Sequence, residues 1–91
     1  MLEKPLPLGH LFITPGAMIV LKTLEVSPSS LLTRHQAGDW GELDEEDKKA
    51  NQDALAYGLR IMSVYRVLGV RFWVITEANR ASTTIMLPEE Y

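Results

Sequence analysis

The chain has 91 residues and no cysteine, and it contains no apolar run near the roughly 20 residues that span a bilayer. The missing thiols exclude disulfide bonds, zinc sites built from thiolates and cysteine nucleophiles. Because the chain has no cysteine that could form a disulfide in an oxidising compartment, we expect a cytoplasmic protein with no membrane partner.

Motifs of catalysis are missing as well. The chain has no glycine-rich phosphate loop, no nucleophile elbow, no paired-histidine zinc motif and no dinucleotide fingerprint. We therefore expect no enzyme, and we nominate no catalytic residue, no cofactor and no metal ion. The net charge of −3 disfavours non-specific binding to nucleic acid, because phosphates repel an acidic protein.

What is present is the composition of an ordinary globular protein, with 46% apolar and 23% charged residues. The length predicts a single domain, residues 1–91. Residues 1–8 are expected to form an extended lead-in, because Pro5 and Pro7 disfavour helical backbone at the residues before them.

Three helix starts are visible in the sequence. Thr14 and Ser27 each precede a proline, the arrangement of an N-cap before the first helical residue, and Asp44 precedes three acidic residues. The pattern predicts a first helix of about two to three turns, a short second helix that closes at residue 38, and a third over Glu45–Tyr57. The β-branched pair at 19 and 20 leaves a strand as the alternative for the first.

From residue 59 the apolar period changes to two, which is typical of strands. With a short run over residues 9–14, the sequence predicts an α+β fold: a short N-terminal strand, three helices, then a three-stranded antiparallel β-meander with helices packed on one face. The strands of the meander are predicted at Leu59–Leu68, Arg71–Glu77 and Arg80–Leu87, with turns at Gly69-Val70 and Ala78-Asn79.

Counting along these strands assigns their two faces. Arg66 is expected opposite Trp73, and Glu77 opposite Arg80. The face predicted to enter the core carries Ile61, Tyr65, Val67, Phe72, Val74, Thr83, Ile85 and Leu87.

The segment Gly38–Leu43 is predicted to be a loop, because glycines at 38 and 41 make regular structure costly. Trp40 in this loop either closes the core between the second and third helices or anchors a partner, since tryptophan is enriched at interfaces. As a partner-binding site we nominate Trp40 as the anchor and Asp39, Glu42 and Asp47 as its polar rim.

The acidic run that continues from this loop to Asp53 is interpreted as a solvated helix face. Its functional alternative is mimicry of nucleic-acid phosphates, by which small acidic proteins block DNA-binding enzymes.

The opposite face of the predicted meander interleaves arginines with an aromatic ring, as in proteins that bind single-stranded nucleic acid. Apolar residues at 62, 64 and 75 share this face, so a helix or a second copy of the chain, forming a homodimer, is the alternative cover. The nucleic-acid-binding candidates are Arg60, Arg66, Arg71, Trp73 and Arg80.

A third hypothesis is a small metal-dependent hydrolase built around His35 and Asp39, because an imidazole and several carboxylates lie close together in the sequence. In the alternative interpretation, His35 caps the end of the second helix or hydrogen-bonds to the loop backbone.

Segments covering nearly everything after Gly9 carry a family resemblance: Phe12–Ala17, His35–Gly41, Leu43–Asp47 with Asn51, Ile75–Arg80 and Thr83–Tyr91. In these segments the chain resembles a family of small uncharacterised proteins carried by phages and plasmids, for which no activity is established. Members carry the labels plasmid-related protein and modification subunit (subunit M) of a type I restriction system.

The second label fails a physical test on this sequence. A DNA methyltransferase needs a larger nucleotide-binding domain and an Asn/Asp-Pro-Pro-aromatic segment, and this chain has no Pro-Pro pair. The resemblance implies a non-enzymatic accessory protein of mobile genetic elements, linked to restriction or host defence. We expect it to bind a macromolecular partner, an unknown protein in the first place and nucleic acid in the second.

Overall fold

The computed structural model describes residues 2–91, and Met1 of the predicted lead-in lies outside the described residues. The predicted α+β class is confirmed. In chain order the elements are β1 (His10–Ile13), α1 (Pro15–Leu24), α2 (Pro28–Ala37), α3 (Glu45–Tyr57), β2 (Ile61–Val67), β3 (Val70–Thr76), β4 (Ser82–Met86) and a 3-10 turn at Pro88–Glu90. Within residues 2–91, none of the helices has the length and apolarity required to cross a membrane.

The three predicted helices are confirmed together with their N-caps. The side chains of Thr14, Ser27 and Asp44 accept hydrogen bonds from backbone N–H groups of the first turns of α1, α2 and α3. Helices α2 and α3 end at Gly38 and Gly58, which adopt the left-handed conformation of a helix C-terminus. The first segment is therefore helical, and the alternative of a strand is wrong.

The sheet has four strands in the order β1-β4-β3-β2. The predicted meander is confirmed, since β2 pairs antiparallel with β3 and β3 with β4. The prediction of a purely antiparallel three-stranded sheet is wrong, because β1 joins it in parallel with β4, from His10 opposite Ser82 to Ile13 opposite Ile85. A parallel pair needs a long crossover, and the chain from α1 to β3 supplies it.

The predicted β2–β3 turn is misplaced, although the strand faces are right. The turn is Leu68-Gly69, and both residues have positive φ, 49° and 83°, as a two-residue hairpin turn of type I′ requires. Arg66 therefore stands opposite Arg71 instead of Trp73. Because the pairing shifts by two residues, each side chain keeps its predicted face.

The β3–β4 connection is longer than predicted. The ladder ends where Thr76 pairs with Thr83, so residues 77–81 form the connection. Arg80 lies in it with a φ of 59°, and its backbone N–H donates to the Glu77 carbonyl. The predicted strand pairing of Glu77 with Arg80 is wrong, because neither residue belongs to a strand.

The face of the sheet that was predicted to enter the core does so, and we call it the inner face. Its residues at 61, 65, 72, 74, 83 and 85 are buried, and those at 67 and 87 pack against the core while partly exposed. Helices α1 and α2 cover this face. The first core cluster consists of Ala17, Leu21, Leu31, Tyr65, Phe72, Val74 and Ile85.

A second core cluster joins α3 to the start of β2 and consists of Leu6, Trp40, Ala54 and Ile61. The N-terminal segment is thus part of the packed structure. Leu6 is 2% exposed, its N–H donates to the Gln36 carbonyl, and its carbonyl accepts from the Gln36 side chain. The lead-in is held along the end of α2, where the N–H groups of Leu2 and Leu6 donate to the carbonyls of Ala37 and Gln36.

Candidate partner-binding cleft

The other face of the sheet, the outer face, has no helix layer in the described part of the chain. The buried residues of α1 and α2 belong to the inner core, and the 3-10 turn contacts β3. Neither α1 nor α2 covers this face, although Ile75 on it is only 2% exposed and the 3-10 turn packs against β3. By strand register, the outer face carries Phe12, Met62, Val64, Arg66, Arg71, Trp73, Ile75, Thr84 and Met86.

A cleft of about 370 Å³ opens on the outer face beside β2. Side chains of β2 and β3 form one part of its lining, and the loop before α3 with the first turn of α3 forms another. The lining residues are Glu42, Leu43, Asp44, Asp47, Met62, Val64, Arg71, Trp73 and Pro88. The cleft thus combines two predicted partner-binding residues, at 42 and 47, with two predicted nucleic-acid-binding residues, at 71 and 73.

The acidic side of the cleft is built by the start of α3. Asp44 is the N-cap, and its Oδ1 accepts the N–H of Asp47 at 2.8 Å, which fixes the first turn. Asp47 itself forms no side-chain hydrogen bond and no ion pair within residues 2–91, whereas Lys48 is 3.7 Å from Glu45. Asp47 is therefore the carboxylate at this cleft that is available to a ligand.

The arginines of the outer face are already paired with carboxylates. Glu42 lies 3.0 Å from Arg66 Nε and 3.6 Å from Arg71 Nε. Arg60 lies 3.2 Å from Glu77 and donates to the Tyr91 hydroxyl at 2.8 Å. A nucleic-acid phosphate at this face would have to displace these carboxylates.

Arg80 is bonded to four backbone carbonyls, which disfavours its nomination as a nucleic-acid contact. Its guanidinium donates to the carbonyls of Leu59 at 2.6 Å and Ala54 at 3.0 Å, and to the carbonyls of Glu77 and Ala78 at 3.2 Å each. These bonds tie the β3–β4 connection to the end of α3.

The C-terminal residues are attached to the outer face and to the start of α1. The Tyr91 ring meets the Trp73 ring edge-on, with 5.3 Å between centroids. Glu90 accepts hydrogen bonds from Thr14 Oγ1 at 2.5 Å and from the Gly16 N–H at 3.0 Å. These bonds, that of Thr14 above all, hold the pKa of Glu90 below its usual range.

Trp40 is 4% exposed and belongs to the second core cluster. The interpretation that it closes the core is confirmed, and its nomination as an exposed partner anchor is wrong. The loop is held on the edge of β2, because the Val64 N–H donates to the Trp40 carbonyl at 3.1 Å and the Glu42 N–H donates to the Val64 carbonyl at 2.7 Å. Burial of so large a ring favours this arrangement over exposure.

Asp39 and Gly41 shape the same loop. Gly41 has a φ of 75°, and a Cβ there would lie 1.9 Å from the Val64 oxygen, so the loop can approach β2 only without a side chain. Asp39 accepts the Gly41 N–H at 3.1 Å and Arg34 Nε at 2.6 Å, and this bond to Arg34 lowers the Asp39 pKa. Asp39 does not line the cleft, and its carboxylate is paired with Arg34.

His35 is fully buried and does not form a centre with Asp39. Its Nδ1 lies 2.6 Å from Ser63 Oγ and its Nε2 lies 2.9 Å from Thr76 Oγ1, so both ring nitrogens have partners. No group of three or more metal-binding side chains is found within residues 2–91. The hydrolase centre is therefore not formed, and the alternative of a helix-capping or loop-bonding histidine is also wrong.

Burial sets the protonation state of this histidine. Desolvation lowers the pKa of His35 to about 4, from an ordinary value of 6.5. The imidazole is accordingly neutral at neutral pH, and it joins α2 to β2 and β3 by hydrogen bonds inside the core.

The sequence did not predict that the residues lining the cleft lie together in one site. Strand alternation placed residues 62 and 64 on the outer face, but no sequence signal brings the start of α3 to them. The contact depends on tertiary pairings, the bridge between Gly41 and Val64 and the bonds of Asn51 to the Met62 backbone. The close approach of a glycine to a strand is a known use of glycine, but its target cannot be read from the sequence.

Comparisons with protein-family models, with curated proteins and with solved structures found no match to this chain. Its class is therefore defined by its fold and its site: a small α+β protein with a mixed four-stranded sheet, whose outer face carries an acidic-walled cleft.

Proposed function

We propose that this is a non-enzymatic binding protein that holds a basic segment of a protein partner in the outer-face cleft. The observation that carries the proposal is the position of Asp47, a carboxylate with no side-chain partner among the described residues, at a cleft that also exposes apolar side chains and Trp73. The role in phages, plasmids and host defence rests on the family resemblance alone.

The cleft suits one kind of side chain. Met62 and Val64 offer apolar surface to the hydrocarbon stem of a lysine or arginine, whose charged end then reaches water or a carboxylate. The face of an indole such as that of Trp73 attracts a cation, and Asp47 neutralises it. Arg71 at the other side is 3.6 Å from Glu42, and the cleft lining carries three carboxylates, at 42, 44 and 47, against this one arginine.

Nucleic acid is the less favoured ligand for the same surface. Each of the outer-face arginines at 60, 66 and 71 has a carboxylate within 4 Å, and the cleft wall carries three acidic residues at 42, 44 and 47. A polyanion bound here would have to displace the carboxylates from these arginines and would be repelled by the acidic wall. Affinity for nucleic acid depends on cations that have no such partner.

The test is a fluorescence and NMR titration of the Trp40→Phe variant, in which Trp73 is the remaining tryptophan. Trp40 is a suitable residue to replace, because its indole N–H is buried without an acceptor. We expect a short polylysine peptide to change the Trp73 emission and to shift the amide signals of residues 42–47. A polyglutamate peptide is expected to leave both unchanged.

Asp47→Asn and Asp53→Asn are the matched pair for this titration, since both carboxylates are exposed on α3 and only Asp47 lines the cleft. The first variant should weaken polylysine binding severalfold, and the second should leave it as in the parent. An equal loss in both variants would show binding by general charge and would reject the cleft. Quenching by a short single-stranded oligonucleotide, with steep salt dependence, would replace the proposal with nucleic-acid binding.

A further inference from the structure

The two edge strands of the sheet differ in their outward backbone groups. Those of β1 have no partner in the described part of the chain, and we call this the open edge. The N–H groups of His10 and Thr14 donate to carbonyls of the β4 side, Ala81 and Ile85. Backbone groups alternate in direction along a strand, so those of Leu11 and Ile13 point away from β4. Within residues 2–91, no backbone hydrogen bond outside the β1–β4 ladder involves Leu11 or Ile13.

The β2 edge, by contrast, is closed at successive outward positions. The Asn51 side chain donates to the Met62 carbonyl at 2.8 Å and accepts the Met62 N–H at 3.3 Å. Two residues further, the N–H and carbonyl of Val64 are bonded to the Trp40–Glu42 loop. Proteins close or charge their edge strands because an open edge pairs with other chains.

Strand β1 carries little that would discourage such pairing. Its sequence, His-Leu-Phe-Ile, contains no lysine, acidic residue or proline. Leu11 and Phe12 are 54% and 56% exposed, which is high for large apolar side chains. The edge therefore offers both unpaired backbone groups and apolar side chains.

We propose that the open β1 edge is a homodimer interface, in which β1 pairs antiparallel with β1 of a second copy. The two-fold axis passes beside Phe12, which faces Phe12 of the second copy in a non-hydrogen-bonded pair. On either side of the axis, Leu11 of one copy and Ile13 of the other form a pair that exchanges two backbone hydrogen bonds. This gives about four backbone hydrogen bonds and one continuous sheet through both chains. This interface is separate from the cleft and does not depend on the proposed function.

A second copy fits this edge, because β1 contains no lysine, arginine, aspartate or glutamate that would repel itself across the interface. A symmetric pairing of the strand is also complementary to itself. The acidic first turn of α3 lies beyond β2, at the far edge of the sheet from β1. Three strand spacings are about 14 Å, which exceeds the Debye length of about 8 Å at physiological salt, so repulsion between the two chains is small.

The experiment measures mass in solution over a dilution series by light scattering or sedimentation. We expect the wild-type chain to approach twice its 10.2 kDa at high concentration and to dissociate on dilution, because the paired strands are short. Phe12→Lys and Phe12→Glu should each be monomeric, since the new charge faces itself across the axis. An equimolar mixture of the two variants should dimerise again, because opposite charges then meet.

Leu68→Lys is the matched control, because it puts the same charge on another exposed apolar residue, in the β2–β3 turn. It should dimerise like the wild type, and circular dichroism should show all variants folded. Amide exchange supplies a second readout: in the dimer the N–H groups of Leu11 and Ile13 should exchange slowly and speed up on dilution. A wild-type chain that stays monomeric, a dimer that survives Phe12→Lys, or a mixture that fails to associate overturns the proposal.

Discussion

The hydroxyl of Thr83 donates to the carbonyl of Leu8 at 2.8 Å, and this bond fixes the direction of a buried hydrogen-bond chain. With its proton committed, Thr83 must accept from Thr76 at 2.7 Å, and Thr76 must then accept from Nε2–H of His35 at 2.9 Å. The Nδ1 atom is left to accept the hydroxyl proton of Ser63 at 2.6 Å. The histidine is therefore the neutral tautomer with its proton on Nε2.

This buried neutral histidine predicts how stability depends on pH. Between pH 6.5 and about 4 the unfolded chain binds a proton at His35 that the folded chain does not, so the free energy of unfolding falls as pH falls through this window. The full effect of the pKa difference is about 3 kcal/mol, and it levels off below pH 4. Urea unfolding of the wild type and of His35→Gln across this range is the measurement.

The comparison with His35→Gln separates the histidine from the carboxylates, which also titrate at low pH. Glutamine cannot take up the proton, so the two curves should converge as pH falls from 6.5 to 4. Curves that stay parallel over that window would show that His35 is protonated equally in both states.

Gly41→Ala is expected to destabilise the protein by about 2 to 4 kcal/mol, because a Cβ meets the Val64 oxygen at 1.9 Å and the φ of 75° strains any other residue. The control is Gly69→Ala, with a φ of 83° and no atom within 4 Å, which should cost only about 1 kcal/mol. Both are measured by chemical denaturation. Equal losses would mean that backbone strain, and not the approach to β2, determines the need for glycine at position 41.

Arg80→Lys is expected to lower the free energy of unfolding by about 1 to 3 kcal/mol, although it keeps the charge. A single ammonium group cannot reach the carbonyls of Leu59, Ala54 and Glu77 together as the planar guanidinium does. Arg71→Lys, at a side chain that is 57% exposed and 3.6 Å from Glu42, should change stability by less than about 0.5 kcal/mol. The expectation fails if both variants unfold at the same denaturant concentration.

Glu90→Gln should lower the melting temperature, since the carboxylate accepts bonds from Thr14, from Gly16 and from the Leu87 N–H at 3.0 Å. The pKa of Glu90 is below its usual range, so its contribution is present at neutral pH and disappears as pH falls through the folded-state pKa. Glu89→Gln, at the neighbouring exposed carboxylate, is the control. If the wild type still melts at a higher temperature than Glu90→Gln at low pH, the ionised carboxylate is not the source of the stabilisation.

Much of the fold could be predicted from local rules. Helix starts at Thr14, Ser27 and Asp44 and the glycine after α3 are set by groups a few residues apart, so short windows of sequence reveal them. The predicted β2–β3 pairing was wrong by two residues, because Arg66 pairs with Arg71 and not with Trp73. Side chains alternate between the faces with a period of two, so a shift of two residues leaves every side chain on its predicted face.

The site was less predictable. Glu42, Asp47 and Trp73 were nominated and line the cleft, and burial of Trp40 was one of the two interpretations of that residue. The strand position of Arg80 and the capping role of His35 were wrong, because both side chains bond to segments distant in the sequence. Residue type gives the chemistry a side chain can perform and does not say which partners surround it.

The sequence by itself determined the helix limits, the two faces of the meander and the acidic start of α3, because capping, periodicity and helix polarity act within a few residues. The tertiary structure decided the rest. In it β1 pairs with β4, Gly41 contacts β2 and His35 is buried. These contacts depend on which apolar surfaces are removed from water together. The cleft and the open β1 edge exist only as consequences of that packing.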